Sequence, residues 1–200
     1  MADLEKTWAE AQLWERNWWM TARKHHASEI VKNSFVAKMM FLQEGVPEKT
    51  VIDIGCGPLS LLQRLPVKSG AALDPIHYGD LEELYKPNGI KRIIKCGEDL
   101  SEEDGLYDEA WIYNCLQHVK NPTQIIENAL KVAKMVRIFE WTYIKPYTGH
   151  LHELTPELLS KPFHTAGWNT LMTTKGFLNH NDLNGHYFMG IFAKDKTLTI

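Results

Sequence analysis

The chain has 200 residues, 44% of them apolar and 24% charged, with a net charge of −3. That length can carry one full hydrophobic core, and the composition is globular rather than disordered or fibrous. There is no basic surplus to neutralise many phosphates, which disfavours nucleic acid as a substrate, and the longest apolar runs are too short to span a bilayer.

In chain order, residues 3–24 predict a helix behind an Asp3 cap, with Leu4, Trp8, Ala11, Trp14 (or Glu15) and Trp18 near one stripe. This opening segment alternates charged and apolar residues and lacks the apolar stretch of a leader. The three cysteines, Cys56, Cys96 and Cys115, have no CxxC spacing, so a cytoplasmic setting is expected. A second helix is expected from Ser28, with Val31, Phe35, Met39 and Leu42 along its apolar face, stopped by Gly45 and Pro47.

From residue 50 the period changes. Thr50 to Ile54 is a short β-branched run ending in glycines, the pattern of a buried parallel strand. Pro58 can open a helix over 58–65, because its missing N–H would be unpaired there anyway. Further strands are expected at 69–74, 91–96, 109–115 and 136–143, with a helix near 78–86. Asn121, Pro122 and Gln124 supply an N-cap, an N1 proline and an N3 amide for a helix to about 134. Thr155 caps another helix through Thr165, ended by Gly167. The last strands, 168–173 and 187–193, are separated by the polar turn 179–185 with no room for a helix, so they pair as an antiparallel hairpin. The fold expected is α/β: a Rossmann-like open sheet, mostly parallel with one antiparallel strand from the C-terminal β-hairpin, and helices on both faces. Ligands then bind at the carboxyl ends of the strands, beside the first.

Gly55 and Gly57 follow a strand and permit a tight turn that a ligand can approach without meeting a Cβ. A dinucleotide site needs G-x-G-x-x-G, but position 60 is Ser60. Asp53 stands just before the loop, where a carboxylate opposes a pyrophosphate and favours a cation. S-adenosylmethionine carries a sulfonium and an ammonium, so charge prefers it to a nicotinamide dinucleotide. Asp74 ends the second strand about 20 residues on, at the spacing from which a carboxylate accepts ribose hydroxyls.

These blocks, Val51 to Pro58, Leu73-Asp74-Pro75, Gly97 to Leu100, Tyr107 to Trp111, Gln117 to Pro122 and His150 to Thr155, resemble the class I S-adenosylmethionine-dependent methyltransferases over roughly residues 30–195. Within that class they resemble the small-molecule group called methyltransferase type 11 or UbiE-like. The resemblance implies cofactor contacts from Asp53, Gly55, Cys56, Gly57, Asp74, Pro75, Gly97, Glu98, Asn114 and Cys115, with S-adenosylhomocysteine as product. It also implies a lid segment, residues 1–27, ahead of a single Rossmann-like methyltransferase domain, 28–200. Leu59 stands where many members carry a small residue. The fourth strand ends Asn114-Cys115-Leu116-Gln117 rather than in the Asn/Asp-Pro-Pro-aromatic ending of base amino-methyltransferases.

The function implied is methyl transfer to an oxygen or nitrogen of a small-molecule acceptor. The alternatives are a non-catalytic nucleotide-binding partner subunit or a nicotinamide oxidoreductase. Candidate bases are His118, His150 and His152, which follow the fourth and fifth strands and titrate near neutrality. Candidate acceptor contacts are Trp18, Trp19, Glu140 and Tyr143, with Trp141 beside them on the fifth strand. No His/Cys spacing points to a metal site.

Overall fold

A computed structural model describes residues 2–21, 25–79, 85, 89–180 and 183–198. Among the described residues four α-helices, α1 (Ala2–Thr21), α2 (His25–Met39), α3 (Pro122–Val132) and α4 (Pro156–Thr165), surround one sheet. Its strands are β1 (Val46–Ile54), β2 (Val67–Leu73), β3 (Lys91–Ile93), β4 (Tyr107–Tyr113), β5 (Ala133–Thr142), β6 (Asn169–His180) and β7 (Leu183–Ala193). They lie in the order β3-β2-β1-β4-β5-β7-β6. β1 to β5 pair in parallel, and β7 runs antiparallel to both β5 and β6. The fold is therefore the mixed Rossmann-like sheet that the strand pattern predicts, with the reversed strand inside the hairpin.

The period of two along each strand divides the core. Ile52 and Ile54 of β1, with Val136 and Ile138 of β5, face α3 and α4 through Ile125, Ile126, Leu159 and Phe163. Val51, Trp111 and Phe139 face the other way, against Val36 and Met40 of α2 and its following turn. On that second face Arg137 makes a two-pronged ion pair with Glu109, Nε to Oε2 at 2.8 Å and Nη2 to Oε1 at 3.1 Å, and donates to the Met40 carbonyl at 2.8 Å. Fully hydrogen-bonded in this way, the buried charges fix where α2 meets the sheet.

The expected helix caps are present where chain chemistry is local. Asn121 accepts from the Gln124 N–H at 3.2 Å, and Thr155 from the Leu158 N–H at 3.2 Å. Other expectations are corrected. Residues 58–65 form only a 3₁₀ turn, Leu61–Gln63, because distant side chains take its backbone groups: Tyr113 Oη accepts from the Leu61 N–H and Asn33 donates to the Leu59 carbonyl. Pro66 then ends the segment. β3 stops at Ile93, and β6 runs on to His180, far past Thr173, so the hairpin turn is much shorter than 179–185. Residues 181–182, and most of the helix expected near 78–86, lie outside the described residues. α2 buries Glu29, Asn33, Val36 and Ala37, and Met40 is buried just after it, whereas Val31, expected inside, is 58% exposed. On α1, Ala11 is buried and Trp8, Trp14, Glu15 and Trp18 of the expected stripe all turn toward the molecule, with Gln12 and Trp19 widening that face beyond it. Among the described residues no helix is long and apolar enough to cross a membrane.

Candidate functional site

A cavity opens at the carboxyl ends of β1, β2 and β4, the place where an open parallel sheet leaves its strand ends and loops free to bind. Its floor is the glycine loop. Gly55 has φ +73°, and a Cβ there would lie 2.6 Å from that of Cys115, so both backbone and space demand glycine. The Gly55 and Cys56 N–H groups donate to the Leu73 carbonyl at 2.8 and 3.1 Å, folding the loop over the end of β2. Gly57 has φ +56° and faces open space as far as Trp19, 4.0 Å from where its Cβ would stand.

Strand alternation decides what becomes of Asp53. It lies on the Val51 face and is fully buried, receiving the Ser60 hydroxyl and, at 2.8 Å, the Tyr113 hydroxyl on Oδ2. Tyr113 Oη in turn accepts from the Leu61 N–H at 2.9 Å. Burial pushes the Asp53 carboxyl up to about 7 against these hydrogen bonds. Asp53 thus braces the loop from beneath and is absent from the cavity wall.

Asp74 is in the wall. Its Oδ2 accepts from the Gly57 N–H at 3.0 Å and its Oδ1 from the Ile76 N–H at 2.9 Å, tying the end of β2 to the glycine loop. Burial raises its carboxyl to about 6, partly offset by these bonds and by Arg92, which clasps the Asp74 and Ile76 carbonyls. Gly55, Cys56, Gly57 and Pro75 line the same cavity, with Gly97, Glu98, Asn114 and Cys115 opposite. Gly97 packs so tightly on α3 that a Cβ would come within 2.9 Å of Ile125 Cδ1. Glu98 accepts the Lys120 and Asn121 N–H groups at 2.8 and 3.0 Å, holding the approach to α3. Nine of the ten expected cofactor residues therefore surround one space, and Asp53 stands behind it.

α1 forms the roof, contributing Trp8, Gln12, Glu15 and Trp19. Gln12 donates to the His118 carbonyl at 3.0 Å, Lys120 Nζ sits 4.6 Å above the Trp8 ring, and Trp14 lies against Gly149. Glu29 and Asn33 of α2 complete the wall. The sequence pattern marks none of these polar residues as part of the site. The signal available was Glu15, four residues before Trp19 on an otherwise aromatic-rich face, and the i,i+4 pair Glu29 and Asn33. Trp19 Nε1 donates to Glu15 Oε1 at 3.0 Å, and burial lifts the Glu15 carboxyl to about 7.

A second chamber adjoins the first and shares Glu15, Trp19, Glu29, Asn114 and His118 with it. Trp14, Trp18, Trp141, Tyr147 and His150 supply aromatic walls, and Lys32 and Gln117 polar ones. The expected acceptor residues divide here. Trp18 and Trp19 are in the chamber. Glu140 is not: it lies on the opposite face of β5 from Trp141, buried, with Oε1 accepting the Cys115 and Leu116 N–H groups at 3.0 and 3.1 Å. Tyr143 lies beyond the end of β5 with φ +62°, 47% exposed and edge-on to His186.

The three histidines also separate. His118 lines both chambers, with Nδ1 2.6 Å from the Gly149 carbonyl and Nε2 2.9 Å from the Gln117 amide nitrogen. A carbonyl only accepts, so Nδ1 carries the hydrogen and Nε2 receives the amide. Burial lowers this ring to about 4, so it is neutral and its lone pair is engaged. His150, edge-on to His118 at 4.7 Å between ring centroids, is likewise lowered to about 4 by burial, and its Nδ1 has no partner among the described residues. His152 lines neither chamber; its Nε2 meets the carbonyl of Val119, which borders the main cavity, at 2.8 Å.

No protein-family model matches the chain. An uncharacterized protein of Methanocaldococcus jannaschii is 29% identical over 93 residues, which is 46% of this chain and 43% of that one, so the match spans less than half of either. Solved structures match more widely. The 1,6-didemethyltoxoflavin-N1-methyltransferase of Burkholderia thailandensis, with its substrate and S-adenosylhomocysteine bound, covers 90% of this chain and 86% of its own at TM-score 0.62 and 15% identity. The magnesium protoporphyrin IX methyltransferase of Synechocystis, with S-adenosylmethionine bound, covers 92% and 97% at TM-score 0.64 and 14% identity. An S-adenosylmethionine-dependent methyltransferase of Leishmania major covers 92% and 82% at TM-score 0.67 and 12% identity. The fold is that of the class I S-adenosylmethionine-dependent methyltransferases.

Proposed function

We propose that this protein is an S-adenosylmethionine-dependent methyltransferase acting on a small-molecule acceptor. The observation that carries the reading is the charge of the main cavity. Four carboxyl groups line it, Glu15, Asp74, Glu98 and the Lys32-paired Glu29, and among the described residues no lysine or arginine is in its wall. A pyrophosphate would meet repulsion there, whereas a ligand bearing a sulfonium and an ammonium meets attraction. The chain's residues fit that ligand in chain order. The open face of Gly57 admits its backbone approach, Asp74 is placed to take a ribose diol, and the Gly97 turn borders the remaining space.

Bound there, S-adenosylmethionine supplies an activated methyl group. The protein's part is then to position the acceptor and exclude water, which alone accounts for much of the acceleration in a direct displacement. The aromatic chamber beside the cavity, under the roof of α1, is where the acceptor would sit. The chamber suits a small molecule, as in the toxoflavin and protoporphyrin enzymes that share the fold. The neutral, hydrogen-bonded His118 is then a positioning residue for the 114–118 turn. The test is formation of S-adenosylhomocysteine from S-adenosylmethionine across a panel of small oxygen and nitrogen nucleophiles. Acceptor-dependent product is expected. Cofactor binding without turnover on any acceptor would favour a non-catalytic partner subunit instead.

A further inference from the structure

The second chamber has a composition that selects among acceptors. Trp14, Trp18, Trp19, Trp141 and Tyr147 present aromatic surface, and Trp18 and Trp19 meet edge-on at 4.8 Å between centroids. Its charged groups are few. Glu29 pairs with Lys32 at 2.8 Å, so these two largely cancel. His118 and His150, facing in from the turn after β4 and from the loop after β5, are neutral for the reasons given above. Asp74 lies across the main cavity. That leaves Glu15, on the roof and common to both chambers, as the acid without a cation of its own: its Oε2 lies 3.8 Å from Nδ1 of the neutral His118, and Lys32, which attracts it, is paired to Glu29.

We propose that the second chamber receives a protonated amine carried on an apolar, ring-sized body, and that Glu15 takes the proton from the amine nitrogen before methyl transfer. Aromatic faces attract cations, and a carboxylate beside them fixes where the charge sits. A carboxylate or phosphate acceptor would face Glu15 and gain only the already paired Lys32. The inference deepens the methyltransferase reading and rests on it. An ammonium has no lone pair, so one N–H bond must break first, with the proton passing to the Glu15 carboxylate. The nitrogen then forms its bond to the methyl carbon as the carbon–sulfur bond breaks, with that electron pair remaining on sulfur as a thioether. The product is a methylated ammonium, and Glu15 returns its proton to water. A carboxyl raised by burial toward neutrality is matched to this task better than an ordinary glutamate.

The experiment is calorimetric titration of the whole chain, with and without S-adenosylhomocysteine, using 2-phenylethylamine and tryptamine against their neutral counterparts 2-phenylethanol and tryptophol. The amines should bind about tenfold more tightly than the alcohols at pH 8. The preference should shrink toward pH 6, as Glu15 takes up a proton while the amines stay charged. In Glu15→Gln, whose amide oxygen can still accept from Trp19, it should fall below about threefold and lose its pH dependence. Equal binding of alcohols and amines, or an unchanged preference in the variant, would overturn the proposal. If wild-type protein fails to bind S-adenosylhomocysteine, the methyltransferase reading fails, and the amine titrations without it still decide the chamber's preference.

Discussion

Three buried carboxyls near the site, Asp53, Asp74 and Glu140, do different work because strand alternation and strand ends point them differently. Asp74 ends β2 and reaches the cavity, and its distance from the glycine loop is readable in the sequence. Asp53 and Glu140 are equally close in sequence to the chemistry, yet each turns into the body of the protein to hold a loop. Sequence shows that an acid is present; only the pairing of β1 with β4, and β4 with β5, shows which side it faces. Glu140 provides a test. Its Oε1 accepts two backbone N–H groups, its Oε2 has no partner among the described residues, and burial raises it to about 8. A folded-state carboxyl above its unfolded value of 4.5 means the native state holds more protons, so the stability Glu140 contributes is present below pH 4.5 and lost as pH rises through 8. Glu140→Gln keeps an acceptor oxygen and has no proton to lose. Relative to wild type, it should gain more than about 1 kcal/mol in chemical denaturation between pH 5 and pH 9. A difference that does not change with pH would contradict this assignment.

At the scale of elements, the strands and the capped helices α3 and α4 are legible because their determinants are local: β-branched runs, Asn121-Pro122, Thr155-Pro156. α1 and α2 are legible as helices, but their inner faces are not. They bury Glu29 and Asn33 and half-bury Gln12 and Glu15, because α1 and the first turns of α2 cover a cavity, and only the later turns of α2 reach the core through Val36 and Ala37. The 3₁₀ turn after the glycine loop escapes prediction for a related reason: its backbone groups are claimed by Tyr113 and Asn33, far away in sequence. The placement of α1 is itself testable. A Cβ at Gly149 would fall 2.6 Å from Trp14 Cε3, so Gly149→Ala must push α1 off the site. S-adenosylhomocysteine should then dissociate roughly tenfold faster, a loss of about 1.4 kcal/mol, with the fold intact by circular dichroism. Unchanged dissociation would remove α1 as a lid over the cofactor.

At the scale of the molecule, the topology gathers groups that are remote in the chain. The order β3-β2-β1-β4-β5-β7-β6 sets β1 centrally, so the loops after β1, β2, β3 and β4 open onto one space. The hairpin fills the far edge, where it closes the sheet and leaves the cavity alone. α1 then crosses that space and brings the acid and the aromatic rings that divide it into two chambers. The central claim is that this acid-lined cavity is built for the cationic methyl donor rather than for a dinucleotide. Calorimetric titration tests it most directly, with S-adenosylmethionine, S-adenosylhomocysteine and NADH added separately to wild type and to Asp74→Ala. Saturable binding of the first two is expected, with none of NADH, and a loss of about tenfold or more in the variant as the ribose contact goes. Binding of NADH without S-adenosylmethionine or S-adenosylhomocysteine would contradict it.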